Sequence, residues 1–230
     1  MVDQQIDTVA LAERLSGVQS DVASACAAAG RAAEDVTLIV VTKFHPAALV
    51  AALADLGVRD VGENRHQEAR DKAAELADLE LNWHFIGQLQ TKKARQAAQY
   101  ASAIHSIDSE RLVDALAPIE RKIDAFVQIN LTDDPGRGGV APEGIEALAE
   151  RILETPSLHL RGVMAVAPLE EEPARAFERL AGYSERVRSL DAGATAISAG
   201  MTHDFAEAIA AGATHLRIGS AITGNRPPQR

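Results

Sequence analysis

The sequence predicts an α/β protein, a single (β/α)8 TIM-type barrel preceded by an extra N-terminal helix, and three observations predict it. Eight short β-rich apolar runs alternate with helical stretches between Thr37 and Ile218. Hydrophobic residues make up 47% of the chain but aromatics only 3%, so the core is built from Ala, Val, Leu and Ile, which fill a parallel sheet covered on both faces. No Pro/Ser/Gly linker, low-complexity tract or shift of composition divides the 230 residues, and 1–230 reads as one domain. Strands alternating with helices imply right-handed crossovers and a parallel sheet. An open doubly wound sheet is the competing arrangement, but eight strands in so short a span fit a closed barrel better.

The elements follow in order. Residues 7–32 read as helix, because Leu11, Leu15, Val18 and Val22 recur at intervals of four, three and four as one apolar stripe. Thr37-Leu38-Ile39-Val40-Val41-Thr42 is a continuous β-rich run, the pattern of a strand buried on both sides. Pro46 then opens a helix with the stripe Leu49, Val50, Leu53 and Leu56, and Gly57 stops it. The unit repeats. Further strands are expected at 58–62, 81–86, 103–107, 125–130, 160–165, 195–198 and 215–218, with helices near 65–77, 91–100, 109–122, 142–154, 171–189 and 203–211.

Charge and cysteine usage exclude several classes. A formal net charge of -10 gives neither nucleic acid nor an anionic membrane any electrostatic attraction, and neither is expected as a partner. The single cysteine, Cys26, excludes an internal disulfide and suits a reducing compartment. Met1-Val2-Asp3-Gln4-Gln5 has neither the basic nor the apolar region of a signal peptide, and no apolar run approaches the ~20 residues that span a bilayer. A cytoplasmic location is expected. The seven histidines show no H-x-H or H-E-x-x-H spacing, so no metal site is expected; His84 and His105, inside strand runs, read as core or supporting groups. Gly136-Arg137-Gly138-Gly139 reads as a flexible lid or surface loop, and Glu170-Glu171-Glu172 as a solvated helix start.

Barrel sites lie at the C-terminal strand ends. Lys43 ends the first strand and would project into the barrel mouth. Burial there disfavours the ammonium form, and a neutral amine is what attack on a carbonyl requires. The alternative is a lysine that only snorkels to water. Ser198 and Gly200 after the seventh strand, and Gly219 and Ser220 after the eighth, put small residues at adjacent strand ends before expected helix starts. Backbone N–H groups, hydroxyls and helix dipoles there would make a phosphate cradle, although tight turns alone also call for glycine. Arg217, pointing inward, would add a permanent positive charge; pairing with an acidic neighbour is its other reading. A lysine opposite a phosphate cradle suggests a phosphorylated carbonyl compound.

The segments Val41-Thr42-Lys43, Gly62-Glu63-Asn64-Arg65, Trp83-His84-Phe85-Ile86-Gly87-Gln88-Leu89-Gln90, His105-Ser106-Ile107-Asp108, Arg161-Gly162-Val163-Met164, Ser198-Ala199-Gly200-Met201 and Arg217-Ile218-Gly219 together resemble the pyridoxal phosphate homeostasis protein family. The resemblance runs in order from the first helix to near the C-terminus. It implies the barrel of fold-type III pyridoxal enzymes, similar to the barrel domain of alanine racemases. It also implies that Lys43 holds pyridoxal 5'-phosphate as a Schiff base, with Ser198, Gly200, Met201, Gly219 and Ser220 around the phosphate. Arg217 would approach the pyridine nitrogen and keep it unprotonated, and Asn64 and Met164 would line the pocket. Two departures stand out: Phe44-His45 is an uncommon sequel to the lysine, and Thr202-His203-Asp204 follows Met201 where the family often has Ser.

Two kinds of function share such a site. A carrier would take up pyridoxal phosphate, buffer it and supply it to apoenzymes; a racemase-like enzyme would turn over amino acids. Two-base racemisation needs an acid/base group opposite the lysine. The tyrosines, Tyr100 and Tyr183, fall in helices away from the mouth, so the carrier without robust catalysis is the expected reading. A Schiff-base aldolase or isomerase of sugar phosphates is a third possibility. A monomer is expected, because no extra domain is present.

Overall fold

The computed structural model describes residues 6–134 and 136–224; the Met1-Val2-Asp3-Gln4-Gln5 stretch lies outside them. Eight parallel strands close in chain order into a barrel: β1 Thr37–Val41, β2 Asp60–Glu63, β3 Asn82–Phe85, β4 Ala103–Ile107, β5 Ile123–Gln128, β6 Leu158–Met164, β7 Ala196–Ser198 and β8 His215–Ile218. β8 closes on β1 in the register Leu38↔Leu216 and Val40↔Ile218. The helices are α1 Thr8–Ala28, α2 Ala47–Asp55, α3 His66–Glu75, α4 Ala94–Ala97, α5 Glu110–Leu116, α6 Ile145–Leu153, α7 Pro173–Leu190, α8 Phe205–Ala210 and α9 Ser220–Thr223. Among the described residues no helix is long and apolar enough to cross a membrane.

Side chains alternate between the faces of a strand, so each strand feeds two cores. Val40, Val61, Trp83, Ile104, Ile197 and Leu216 point outward and pack under the helices. Ala103, Phe126, Met164 and Ala196 form a separate cluster inside the barrel. The expected stripe of α1 is buried as read, with Cys26 extending it, and the side chain of Asp7 caps Ala10 N–H at 3.0 Å. Arg14 and Arg31 then fasten α1 to the C-terminal part of the barrel. Arg14 Nε donates to Ile222 O at 2.7 Å, and Arg31 donates to Ala213 O at 2.7 Å.

The element boundaries moved where local chemistry overrides periodicity. The helix expected over 109–122 stops at Leu116, because Pro118 lacks an N–H and constrains Ala117 before it. The fifth and sixth strands each begin two residues earlier than expected, at Ile123 and Leu158. The helix expected over 91–100 is a 3-10 turn followed by four α-helical residues. The glycine-rich loop after β5 is tied down: Asn130 Nδ2 donates to Asp134 O and Arg137 O at 2.8 and 3.0 Å, and Gln128 Nε2 to Gly138 O at 3.0 Å.

Candidate functional site: a lysine and a buried arginine at the barrel mouth

The strand ends enclose a cavity of about 310 Å³, within the ~300–1,000 Å³ range of small-ligand pockets. Lys43, Asn64, Met201, Arg217, Gly219 and Ser220 line it, six of the nine residues singled out from the sequence. Strand parity accounts for their meeting: Val41 and Lys43 share the inward face at the end of β1, and Arg217 and Gly219 share it on β8.

Lys43 is half-buried, and the backbone on both sides of it is anchored. Phe44 has φ 70°, a left-handed conformation that bulky residues rarely adopt. Glu68 Oε1 accepts its N–H at 2.5 Å, and the Arg65 guanidinium lies 4.6 Å over its ring. On the other side, Lys72 Nζ donates to Thr42 O at 2.9 Å and to Glu63 Oε1 and Glu68 Oε1 at 2.7 Å each. The Thr42 hydroxyl donates to Glu63 Oε1 at 2.7 Å. A buried ionic cluster thus ties the end of β1 to β2 and α3. Burial pushes the Glu63 carboxyl above its ordinary range, with the Lys72 ammonium acting against it. The unusual Phe44-His45 sequel is a strained corner held from α3.

Arg217 points inward and is 5% exposed. Its guanidinium donates to Ser198 Oγ at 2.7 Å and to Ala165 O at 2.9 Å. Among the described residues its hydrogen-bond partners are neutral, and the acidic neighbour Asp204 acts on it through charge, without a direct ion pair. Burial lowers its pKa to about 10, with Asp204 acting in the opposite direction; it stays a cation at neutral pH.

Three predicted residues sit beside or beneath the cavity. Ser198 is fully buried, its oxygen shared between Arg217 and His105 Nδ1 at 2.8 Å. Met164 packs in the inner apolar cluster. Gly200 has φ +90°, and a Cβ there would lie 2.8 Å from Ala208 Cβ and 2.9 Å from Leu216 Cδ2; it shapes the turn into α8, and its carbonyl accepts Arg217 N–H at 2.9 Å. The Met201 N–H goes to Asp204 Oδ1 at 2.5 Å, which assigns the Thr202-His203-Asp204 departure to turn closure. Since α9 spans four residues, few peptide dipoles align there. An anion would therefore be held by N–H groups and by the hydroxyls of Thr202 and Ser220 more than by a helix dipole.

Sequence reasoning missed the Glu63–Lys72–Glu68 cluster, and also Gly87 as a site residue. A Cβ on Gly87 would fall 2.3 Å from Asn64 O, so only glycine lets the turn after β3 rest on Asn64. The signal for Gly87 was its place at a strand end. The ionic cluster had none, because its members are polar residues on helix and strand faces that the sequence does not pair. Asn64 Oδ1 is buried with no hydrogen-bond partner among the described residues, an acceptor left for a donor brought by a ligand. An amine, a guanidinium, an open acceptor and small hydroxyl residues around one cavity fit a phosphorylated aldehyde with a ring nitrogen.

Residues 19–227 match the family described as alanine racemase, N-terminal domain. The pyridoxal phosphate homeostasis protein of Mycobacterium leprae is 40% identical over 236 aligned residues, covering 93% of this chain and 92% of that protein. Among solved structures, PipY of Synechococcus elongatus PCC7942 with PLP bound superposes with a TM-score of 0.80 at 33% identity, covering 93% of this chain and 100% of that one. The alanine racemase of Corynebacterium glutamicum, 17% identical, shares the fold with a TM-score of 0.72 over 96% of this chain and 62% of that one.

Proposed function

Because the chain belongs to the pyridoxal phosphate homeostasis protein family, we propose that it is a cytoplasmic, monomeric carrier that binds pyridoxal 5'-phosphate through a Schiff base on Lys43. The 230 residues act as one such binding unit. Bound there, the cofactor supplies an electrophilic aldehyde and an electron-withdrawing ring. The protein's own groups do the rest. Lys43 supplies the amine, and the Lys72 cluster fixes the strand end that presents it. Arg217 would be the hydrogen-bond donor for the ring nitrogen; a fixed cation there would oppose a second positive charge and keep the nitrogen unprotonated, weakening the ring as an electron sink. Asn64 and Met164 shape the pocket wall and floor. Met201, Gly219 and Ser220 frame the end that takes the phosphate; of the other two residues expected there, Gly200 shapes the turn behind it and Ser198 holds Arg217 from beneath.

The observation that carries this reading is the convergence of Lys43 and Arg217 on one cavity of the right size. The names of the relatives favour homeostasis over turnover. The tyrosine positions support the same side: the Tyr100 hydroxyl lies 3.3 Å from His66 Nδ1 in the helical layer, and the Arg186 guanidinium covers the Tyr183 ring at 5.4 Å. Neither lines the cavity. The carrier hands its cargo to apo forms of pyridoxal phosphate enzymes.

Borohydride reduction of the protein mixed with pyridoxal phosphate, followed by peptide mapping, tests the attachment. The modification is expected on Lys43 and absent from Lys43→Ala; attachment elsewhere, or no gain in visible absorbance, refutes it. Loss of the α-proton from L-amino acids in deuterated water tests the carrier reading against a racemase. Fast exchange that vanishes in Lys43→Ala would establish an enzyme instead.

A further inference from the structure

Beneath the cavity the barrel interior is polar along one line. Side chains from five strands meet there: Asp60 of β2, His84 of β3, His105 of β4, Ser198 of β7 and Arg217 of β8. Asp60 Oδ1 lies 3.0 Å from His84 Nε2, and His84 Nδ1 lies 2.9 Å from His105 Nε2. His105 Nδ1 is 2.8 Å from Ser198 Oγ, the oxygen to which Arg217 donates. His105 and Ser198 are fully buried, while Asp60 reaches solvent with 27% of its side chain. The His105 ring is stacked on Phe126 with centroids 4.1 Å apart, which fixes its plane.

The chemistry of the groups sets a direction. Burial pushes the Asp60 carboxyl up, but hydrogen bonds from His84 and Asn82, together with charge attraction from His84 and His215, outweigh it and hold it below its ordinary value. A carboxylate only accepts, so His84 presents Nε2–H to it. With one proton on each ring, His84 Nδ1 must accept from His105 Nε2–H, and His105 Nδ1 must accept the Ser198 proton. Burial holds His105 well below the ordinary imidazole range and disfavours a second proton on it. Every link then donates toward Asp60, starting from Arg217. A hydroxyl that gives its own proton away is a stronger acceptor at its oxygen.

We propose that His105, backed by His84 and Asp60, is a positioning residue for Arg217: the column draws the Ser198 proton inward and pins the guanidinium at the cavity floor through the polarised Ser198 oxygen. The consequence for the ligand rests on the pyridoxal phosphate reading, because the guanidinium so held is the group that faces the ring nitrogen.

Nitrogen-15 NMR of the ligand-free protein with labelled histidine reads the column directly. Nε2–H tautomers on both His84 and His105 are expected at neutral pH. An Nδ1–H tautomer on His105 overturns the proposal, whether or not the protein binds pyridoxal phosphate. Titration with ring-nitrogen-labelled pyridoxal phosphate then compares His105→Phe with the parent. That variant keeps a ring against Phe126 but cannot accept the Ser198 proton. About tenfold weaker binding, the scale of one buried hydrogen bond, and a shifted ring-nitrogen resonance are expected; unchanged values of both overturn the proposal. Should His105→Phe not fold, Asp60→Ala at the exposed end is expected to mix the tautomers of His84, and unmixed tautomers overturn it equally. A parent protein that fails to take up pyridoxal phosphate would sink the functional reading alone, while the NMR result still decides the column.

Discussion

Replacing Lys72 by Met probes the buried cluster under Lys43 most directly. The two side chains are close in length, so packing is nearly kept while the ammonium is lost. Lys72 is 5% exposed and Glu63 1%. The Glu63 carboxylate would retain the Thr42 hydroxyl at Oε1, and its Oε2 already has no hydrogen-bond partner among the described residues. Removing one member of a buried pair costs about 3–5 kcal/mol. The loss should depend on pH with a definite sign. Burial already raises Glu63 above 4.5, and without Lys72 it rises further, so the folded variant binds a proton that the unfolded chain releases. Stability contributed by that proton is present below pH 4.5 and lost as pH climbs through the raised folded value. Urea denaturation at pH 5 and pH 8 is the assay. A deficit of about 3–5 kcal/mol is expected at pH 8, with a clearly smaller one at pH 5. Lys72→Met combined with Glu63→Gln should recover much of it. A deficit under about 1 kcal/mol at pH 8, or equal deficits at both pH values, would show that the pair is not the anchor described.

Burial lowers the His215 imidazole from 6.5 to about 4; the unfolded chain takes up a proton below pH 6.5 that the folded one refuses until about pH 4. Stability should therefore fall between pH 6.5 and 4, by about 3 kcal/mol from this residue, with His105 acting in the same direction. Denaturant midpoints across that window check it, and a slope unaltered in His215→Gln would count against the assignment. Gly200→Ala places a methyl group within 2.9 Å of Ala208 and Leu216 at φ +90° and is expected to cost about 1–3 kcal/mol in thermal unfolding. Arg217→Lys loses the two-pronged contact to Ser198 Oγ and Ala165 O; leaving one buried acceptor unmet should cost about 1–3 kcal/mol and weaken pyridoxal phosphate binding, read by absorbance titration.

The alternation of apolar runs and helical stripes determined the barrel, because a chain that buries strands on both faces and returns through helices has few other ways to close. The stripe of α1, the run 37–42 and the strands at 103–107 and 215–218 were legible for that reason, as was Lys43 at a strand end. Boundaries set by single residues, such as the stop that Pro118 imposes on α5, were less legible because periodicity averages over a whole turn. Tertiary structure alone decided what each polar residue on an inward face would meet. Asp60, His84 and His105 lie on neighbouring strands and Ser198 on β7; strand pairing sets the first three in a row, and closure of the sheet brings Ser198 within 2.8 Å of His105. Closure also decided that Arg217 has neutral partners and that Lys72 anchors the turn at Lys43: the sequence states which groups are polar, but their partners are chosen by the distances the folded barrel imposes.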